Sequence, residues 1–156
     1  AADITFRDAM EGDLMSVIAM LADDELGATR EDASSPPAEC YVTAFRAIAE
    51  DPNNRLILAV LDGEIAGCLQ LTLIPWLSRK GLWRGQIESV RTARKFRGKG
   101  LGRALFDYAI SEAEKAGCGL VQLTTDKTRT DAHAFYDALG FDATHDGLKL
   151  PLLPPA

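Results

Sequence analysis

Between Gln86 and Gly117 the chain passes from a strand through a glycine-rich turn into an amphipathic helix, and this stretch limits what the rest can build. Residues Ile87 to Thr92 alternate apolar and polar side chains with β-branched members, which reads as a strand. A short basic connection follows and ends in Arg97-Gly98-Lys99-Gly100-Leu101-Gly102-Arg103. From there Leu101, Leu105, Tyr108, Ala109, Glu112 and Ala113 recur at helical spacing, with one polar residue among them. Gly117 is a natural left-handed stop.

The chemistry of such a turn is anion binding. Glycines at 98, 100 and 102 remove Cβ atoms where the chain enters a helix, so bare amide N–H groups can approach a ligand closely. The helix N-terminus adds about half a positive charge, and Arg97, Lys99 and Arg103 add formal charge. A diphosphate suits this arrangement best. Three other readings compete with it. A dinucleotide fold wants Gly-x-Gly-x-x-Gly, whereas the spacing here is Gly-x-Gly-x-Gly and the strand lies mid-chain. A nucleotide P-loop wants Ser or Thr after Gly-Lys, and Lys99 is followed by Gly100. The third is a flexible basic turn that binds nothing.

Charge distribution favours a compact polyanion. Net charge is −6, yet residues 79–103 hold nine of the seventeen Lys and Arg and a single acid, Glu88. The remainder carries eight basic and twenty-two acidic residues, which opposes the broad basic face a nucleic acid needs. An anionic ligand would be steered to the one basic segment.

Two blocks carry a resemblance. Arg97-x-x-Gly100-x-Gly102, after a strand and opening a helix, resembles the acetyl-CoA pyrophosphate loop of the GNAT N-acetyltransferase superfamily, Gln/Arg-x-x-Gly-x-Gly/Ala. Asp131-Ala132-His133-Ala134-Phe135-Tyr136-Asp137-Ala138-Leu139-Gly140-Phe141 resembles that family's Ala-x-x-Phe-Tyr-x-x-Leu-Gly-Phe segment, in the family's order and at its usual separation. The likeness covers roughly residues 3–149 and is weak before about residue 55. Ile87-Glu88-Ser89-Val90-Arg91 and Val121-Gln122-Leu123-Thr124-Thr125-Asp126-Lys127 are similar to bacterial small-molecule members.

A chain of 156 residues is expected to form one domain over residues 1–156, burying roughly 68–70% of its unfolded surface. Reading along it, strands are expected at 3–7, 55–61, 64–74, 87–92, 119–125 and 141–150, and helices near 13–21, 38–50, 101–117 and 131–139. Asp13 is the expected N-cap of the first helix, residues 22–37 a loop, and Asp62-Gly63 a two-residue hairpin turn. In the second helix Tyr41, Phe45, Ile48 and Ala49 are expected to face the core, and the proline-rich tail 151–156 to lie loose. The periodicity supports α/β or α+β. The resemblance implies a mixed α/β GNAT-like fold: a central twisted, mostly antiparallel sheet of six to seven strands flanked by about four helices.

No apolar run reaches membrane-span length, and the acidic opening Ala1-Ala2-Asp3 does not read as a secretory leader. Three widely spaced cysteines argue for a reducing compartment, so a cytoplasmic protein is expected. Two histidines without a Cys-x-x-Cys pair give no expected metal site. A homodimer is left open.

The resemblance implies the cofactor acetyl-CoA, gripped by the amides of Arg97, Gly98, Lys99, Gly100, Leu101, Gly102 and Arg103. It sets Val90 and Thr92 beside the pantetheine arm, with the Val90 N–H near the thioester carbonyl. Glu88 is the candidate general base, expected on the same sheet face as Val90; the alternative is a carboxylate paired with an arginine such as Arg84. Tyr136 is the candidate acid toward the departing thiolate, or else an ordinary half-buried tyrosine beside Phe135 and Phe141. Many members carry Asn where this chain has Arg129, which could meet the cofactor's phosphates. His133 lies near the expected cofactor arm, with a solvated surface role as its alternative. Tyr41, Trp76, Trp83 and Glu88, with Asp23, Asp24, Glu25, Glu31 and Asp32, are candidates to receive a small-molecule or peptide amine, the plain alternative being a solvated acidic loop. The implied reaction is acetyl transfer to a primary amine. A non-catalytic acyl-CoA sensor or interaction module, and a nucleotide-phosphate binder, are the alternatives.

Overall fold

Asp62 and Gly63 both take positive φ, 53° and 76°, as a type I′ turn requires. They join β2 (Asn54–Leu61) to β3 (Glu64–Ile74) at the heart of a five-stranded sheet. A computed structural model describes residues 3–153 of the chain. The sheet order is β1-β2-β3-β4-β5, with β1 (Ile4–Asp8), β4 (Arg84–Thr92) and β5 (Leu120–Gln122) completing it. Every pairing is antiparallel except β4 with β5, which is parallel.

Alternation along β2 and β3 divides the core into two layers. On one side Ile57, Ala59, Leu61, Leu69, Leu71 and Ile87 pack on α5 (Leu101–Lys115) through Leu101, Leu105, Phe106 and Ala109. Each such large apolar side chain, once buried, contributes about 1.5–3 kcal/mol. Gly67 permits the close approach here, since a Cβ would lie 2.9 Å from both the Arg91 carbonyl oxygen and Leu105 Cδ1. On the other side Leu58 and Cys68 meet Val17 and Met20 of α1 (Leu14–Ala22). Phe45 of α3 (Glu39–Glu50) joins Leu14 and Ile18 on that side, with Tyr41 and Val42 packed around them. Val42 takes the core position expected of Ala49, which is exposed.

The four expected helices are present, the last being α6 (Thr130–Ala138), and two short ones are added. One is α2 (Glu25–Arg30), inside the segment expected as loop; its start is fixed by Asp24, whose carboxylate accepts the Gly27 N–H. The other is the four-residue turn α4 (Ser78–Gly81), where Arg79 and Lys80 sit at φ 54° and 59°. Asp13 precedes α1 without capping it by a side-chain bond. Its carboxylate is taken by the Arg7 guanidinium, at 2.7 and 3.1 Å, and the Met10 N–H.

The expected count of six to seven strands is corrected to five among the described residues. Phe141–Leu150 forms no strand, and Leu148 and Leu150 are 92% and 84% exposed. Its partner would have been β5, which is only three residues long and offers too short an edge to order a neighbour. Residues 151–153 lack regular structure, and the remainder of the expected loose tail lies outside the described residues.

Candidate active site

The sheet is interrupted where the site forms. β3 pairs Gln70 with Glu88 and Cys68 with Arg91, so Ser89 and Val90 together oppose Leu69 alone. This is a β-bulge, and Ser89 absorbs it at φ 56°. The extra residue resets the alternation. Val90 packs with Ile87 in the α5 layer, while Glu88 and Arg91, opposite Gln70 and Cys68, point to the α1 side. The expected common face of Glu88 and Val90 is thereby corrected: two-residue spacing holds only without a bulge.

The parallel ladder of β4 with β5 covers only Arg84–Gln86 against Leu120–Gln122. Beyond Gln86 the two strands part, and residues 87–92 of β4 keep an unpaired edge on that side among the described residues. An extended ligand arm could add itself to that edge as a strand does.

At the far end of this opening stands the glycine turn. A 3-10 turn at Arg94–Phe96 anchors it by burying Phe96, after which Gly98 and Gly100 both adopt φ 78°. Gly100 is the N-cap of α5 and makes no side-chain cap bond. The first amide used by the helix is that of Ala104, which donates to the Gly100 carbonyl. None of the six amides from Gly98 to Arg103 donates to a protein acceptor among the described residues. A Cβ at Gly98 or Gly100 would meet nothing within 4 Å, so the space in front of them is open. Clustered free donors at a helix N-terminus fit a diphosphate.

The basic side chains nearby are partly committed. Arg97 donates to the Thr92 carbonyl at 3.2 Å and meets Asp23 Oδ2 at 3.3 Å, while Arg94 takes Asp23 Oδ1 at 2.6 Å. A groove of about 470 Å³ runs beside them, lined by Ala22, Asp23, Asp24, Glu25, Ala28, Arg94 and Arg97. Arg103 pairs with Asp107 at 3.3 Å, and exposed Lys99 lies over the Phe96 ring at 5.7 Å.

Tyr136 enters from α6. Its ring is half-buried, edge-on to Phe106 at 5.5 Å, Phe135 at 5.6 Å and Phe141 at 6.0 Å. Burial pushes the phenol up; the Arg129 and Arg91 cations oppose it without overcoming it. The hydroxyl therefore holds its proton at neutral pH.

Arg91 and Arg129 converge on a single oxygen, Asp24 Oδ2, at 3.6 and 3.2 Å. Burial pushes the Asp24 carboxyl up, but the Gly27 N–H and the charges of Arg91 and Arg129 outweigh it and hold it below the usual carboxylate range. Arg91 and Asp24 in these contacts are what the sequence reading missed. Their meeting depends on contacts between residues far apart in the chain, and local spacing carries no signal of it.

The other candidates are dispersed. Glu88 is exposed and makes no ion pair among the described residues, where Arg91, Arg94, Arg97 and Arg129 pair with Asp23 and Asp24. Arg84, weighed as its partner, lies instead over the Trp76 ring at 4.5 Å, with Arg79 at 5.1 Å from the same ring. Trp76 and the 38% exposed Trp83 flank the start of β4, about 13 Å of strand before Glu88. The Tyr41 hydroxyl donates to Glu31 at 2.9 Å and accepts the Asp32 N–H at 2.8 Å, tying α3 to the segment after α2. His133 is exposed. Of the acids weighed for an amine, Asp23 and Asp24 serve the protein's own arginines. Among the described residues no cluster could hold a metal ion, and no helix is long and apolar enough to cross a membrane.

Comparison with known proteins fits this geometry. The model of the Acetyltransferase (GNAT) family matches residues 19–141. The chain is 33% identical over 107 residues to aminoalkylphosphonate N-acetyltransferase of Salmonella typhimurium, covering 69% of each chain. It is 32% identical over 93 residues to streptothricin acetyltransferase of Streptomyces lavendulae, covering 59% of this chain and 47% of that one. Among solved structures, a protein from Bacillus halodurans C-125 described as a transcriptional regulator superposes with a TM-score of 0.93. It shares 49% identity over 96% of this chain and all of its own.

Proposed function

The chain belongs to the acetyltransferase (GNAT) family of acyltransferases, and from that premise we propose that it moves the acetyl group of acetyl-CoA to the primary amine of a small molecule by direct attack. The observation that carries this reading is the run of free amides from Gly98 to Arg103 beside the unpaired edge of β4. Hydrogen bonds to a charged group contribute about 1.5–3 kcal/mol each, so four or five suffice for most of a micromolar affinity.

In this reading the diphosphate of acetyl-CoA is held by amides 98–103 and the pantetheine arm follows β4 past Thr92. Glu88, exposed on the strand, accepts a proton from the incoming ammonium through water. The amine nitrogen attacks the thioester carbon, the Val90 N–H steadies the oxyanion, and the C–S bond breaks as the C–N bond forms. Tyr136 gives its proton to the departing sulfur, leaving an N-acetyl amine and CoA. Peptide amines are a wider acceptor class, and a cytoplasmic setting suits the cosubstrate.

Release of free thiol, followed over a panel of primary amines, tests this reading: turnover on at least one amine, reduced about 10- to 100-fold in Tyr136→Phe, is the expected result. The transcriptional-regulator description of the Bacillus halodurans protein favours one second reading, an acyl-CoA-binding sensor without chemistry. That reading predicts acetyl-CoA binding with no thiol release on any amine.

A further inference from the structure

We propose that Arg91 and Arg129 form an anion subsite for the acceptor, so that the amine acetylated carries a carboxylate, phosphonate or phosphate. This rests on the acetyltransferase reading above and specifies its substrate.

Two guanidinium groups share one carboxylate oxygen, at 3.2 and 3.6 Å, and the other oxygen of Asp24 is taken by the Gly27 N–H. One carboxylate neutralises only one of them. Arg91 Nε is buried and has no hydrogen-bond partner, because 3.6 Å to Asp24 is too long for a bond. Nearby, Asp126 pairs with Arg30 at 3.8 Å and also feels the Arg129 charge, while Asp23 is shared by Arg94 and Arg97. Asp24 thus balances only one of the two guanidinium groups that meet it, and the Arg91 Nε donor is left unused. An anion entering beside Asp24 would meet the part-exposed guanidinium groups of Arg91 and Arg129 and share them with that carboxylate.

The location assigns that anion to the acceptor. The phosphate-binding amides lie at 98–103, beyond the end of β4, whereas Arg91 and Arg129 act on Tyr136, the group at the sulfur end. The bulge also turns Arg91 to the same face of β4 as Glu88, opposite Cys68 and Gln70. Positions two residues apart on β3 are about 7 Å apart. An amine presented toward Glu88 with an anion toward Arg91 is thus a short zwitterion.

Matched amines test this: 2-aminoethylphosphonate against ethanolamine, and β-alanine against β-alaninamide. In the native chain the anionic member of each pair should show at least about a tenfold higher kcat/KM. Arg129→Gln should bring that ratio to within about twofold, and Arg129→Lys should restore part of it. A native ratio near one overturns the proposal. So does a variant that keeps the ratio while raising KM for acetyl-CoA with both amines, because the arginines would then serve the cofactor. A calorimetric titration of 2-aminoethylphosphonate into CoA-saturated protein separates this inference from the enzyme reading. Binding lost in Arg129→Gln, without thiol release on any amine, keeps the subsite and removes the enzyme; no binding together with no preference removes the subsite.

Discussion

Glu88 and Arg91 present their side chains to the same face of β4 although three positions separate them, because Ser89 at φ 56° inserts one extra residue between their partners Gln70 and Cys68. The Ser89 carbonyl is met by the Cys68 thiol at 3.6 Å beneath the bulge. Serine already carries the Cβ penalty at this positive φ, and a β-branched side chain crowds the backbone further, by about 1 kcal/mol. Ser89→Val is therefore expected to lower the melting temperature by about 2–6 °C and to reduce kcat/KM by about tenfold or more. Ser89→Gly should do neither to a comparable extent, and paired melting curves and kinetics check this.

Gly100 and Gly102 of the turn should respond differently. Gly100 at φ 78° faces open space, so Gly100→Ala meets backbone strain rather than a clash. It should raise KM for acetyl-CoA about three- to tenfold. Gly102 is helical, and a Cβ there would touch Phe135 Cζ at an ordinary 3.6 Å. Gly102→Ala should raise KM by less than about twofold, within the range of a well-tolerated contact.

Tyr136→Phe retains the ring contacts with Phe106 and Phe141 and removes only the proton donor. A loss of about 10- to 100-fold in kcat is expected, with the fold intact by circular dichroism. Burial raises the native phenol above the usual tyrosine value, so deprotonation, and with it any loss of activity from this group, falls on the alkaline side. The pH–rate profile of the native enzyme should carry that alkaline limb, and the variant should lack it.

Arg55 of β2 reaches Glu112 of α5 at 2.8 Å, joining sheet and helix across 57 residues. The hydrogen bond from Arg55 holds the Glu112 carboxyl below its usual range despite burial, and the bond from Arg7 does the same for Asp13. Both groups have folded pKa values lower than unfolded ones. Their contribution is thus present above an unfolded value of about 4 and is lost as pH falls through the folded values. Glu112→Gln should cost about 1–2 kcal/mol at pH 7 and much less at pH 3. Urea midpoints at the two pH values measure the difference.

Local signals in the sequence were sufficient for several elements. Asp62-Gly63 specifies its turn by backbone preference alone, and the strand, glycine turn and helix from Ile87 to Gly117 follow from spacing. The bulge at Ser89 escaped because an inserted residue leaves the apolar pattern of a short strand nearly unchanged while reversing which side chains share a face. The missing last strand has the opposite cause: Phe141–Leu150 has strand-like residues, but pairing depends on a partner edge that ends at Gln122. The arginine pair at Asp24 joins positions as far as 105 residues apart, so only the folded chain reveals it.

The central claim is that amides 98–103 hold the diphosphate of acetyl-CoA, and isothermal titration of acetyl-CoA into the purified chain tests it most directly. The account predicts one saturable site with a dissociation constant of about 1–100 μM, weakened in Gly100→Ala. No detectable heat at millimolar acetyl-CoA would contradict it.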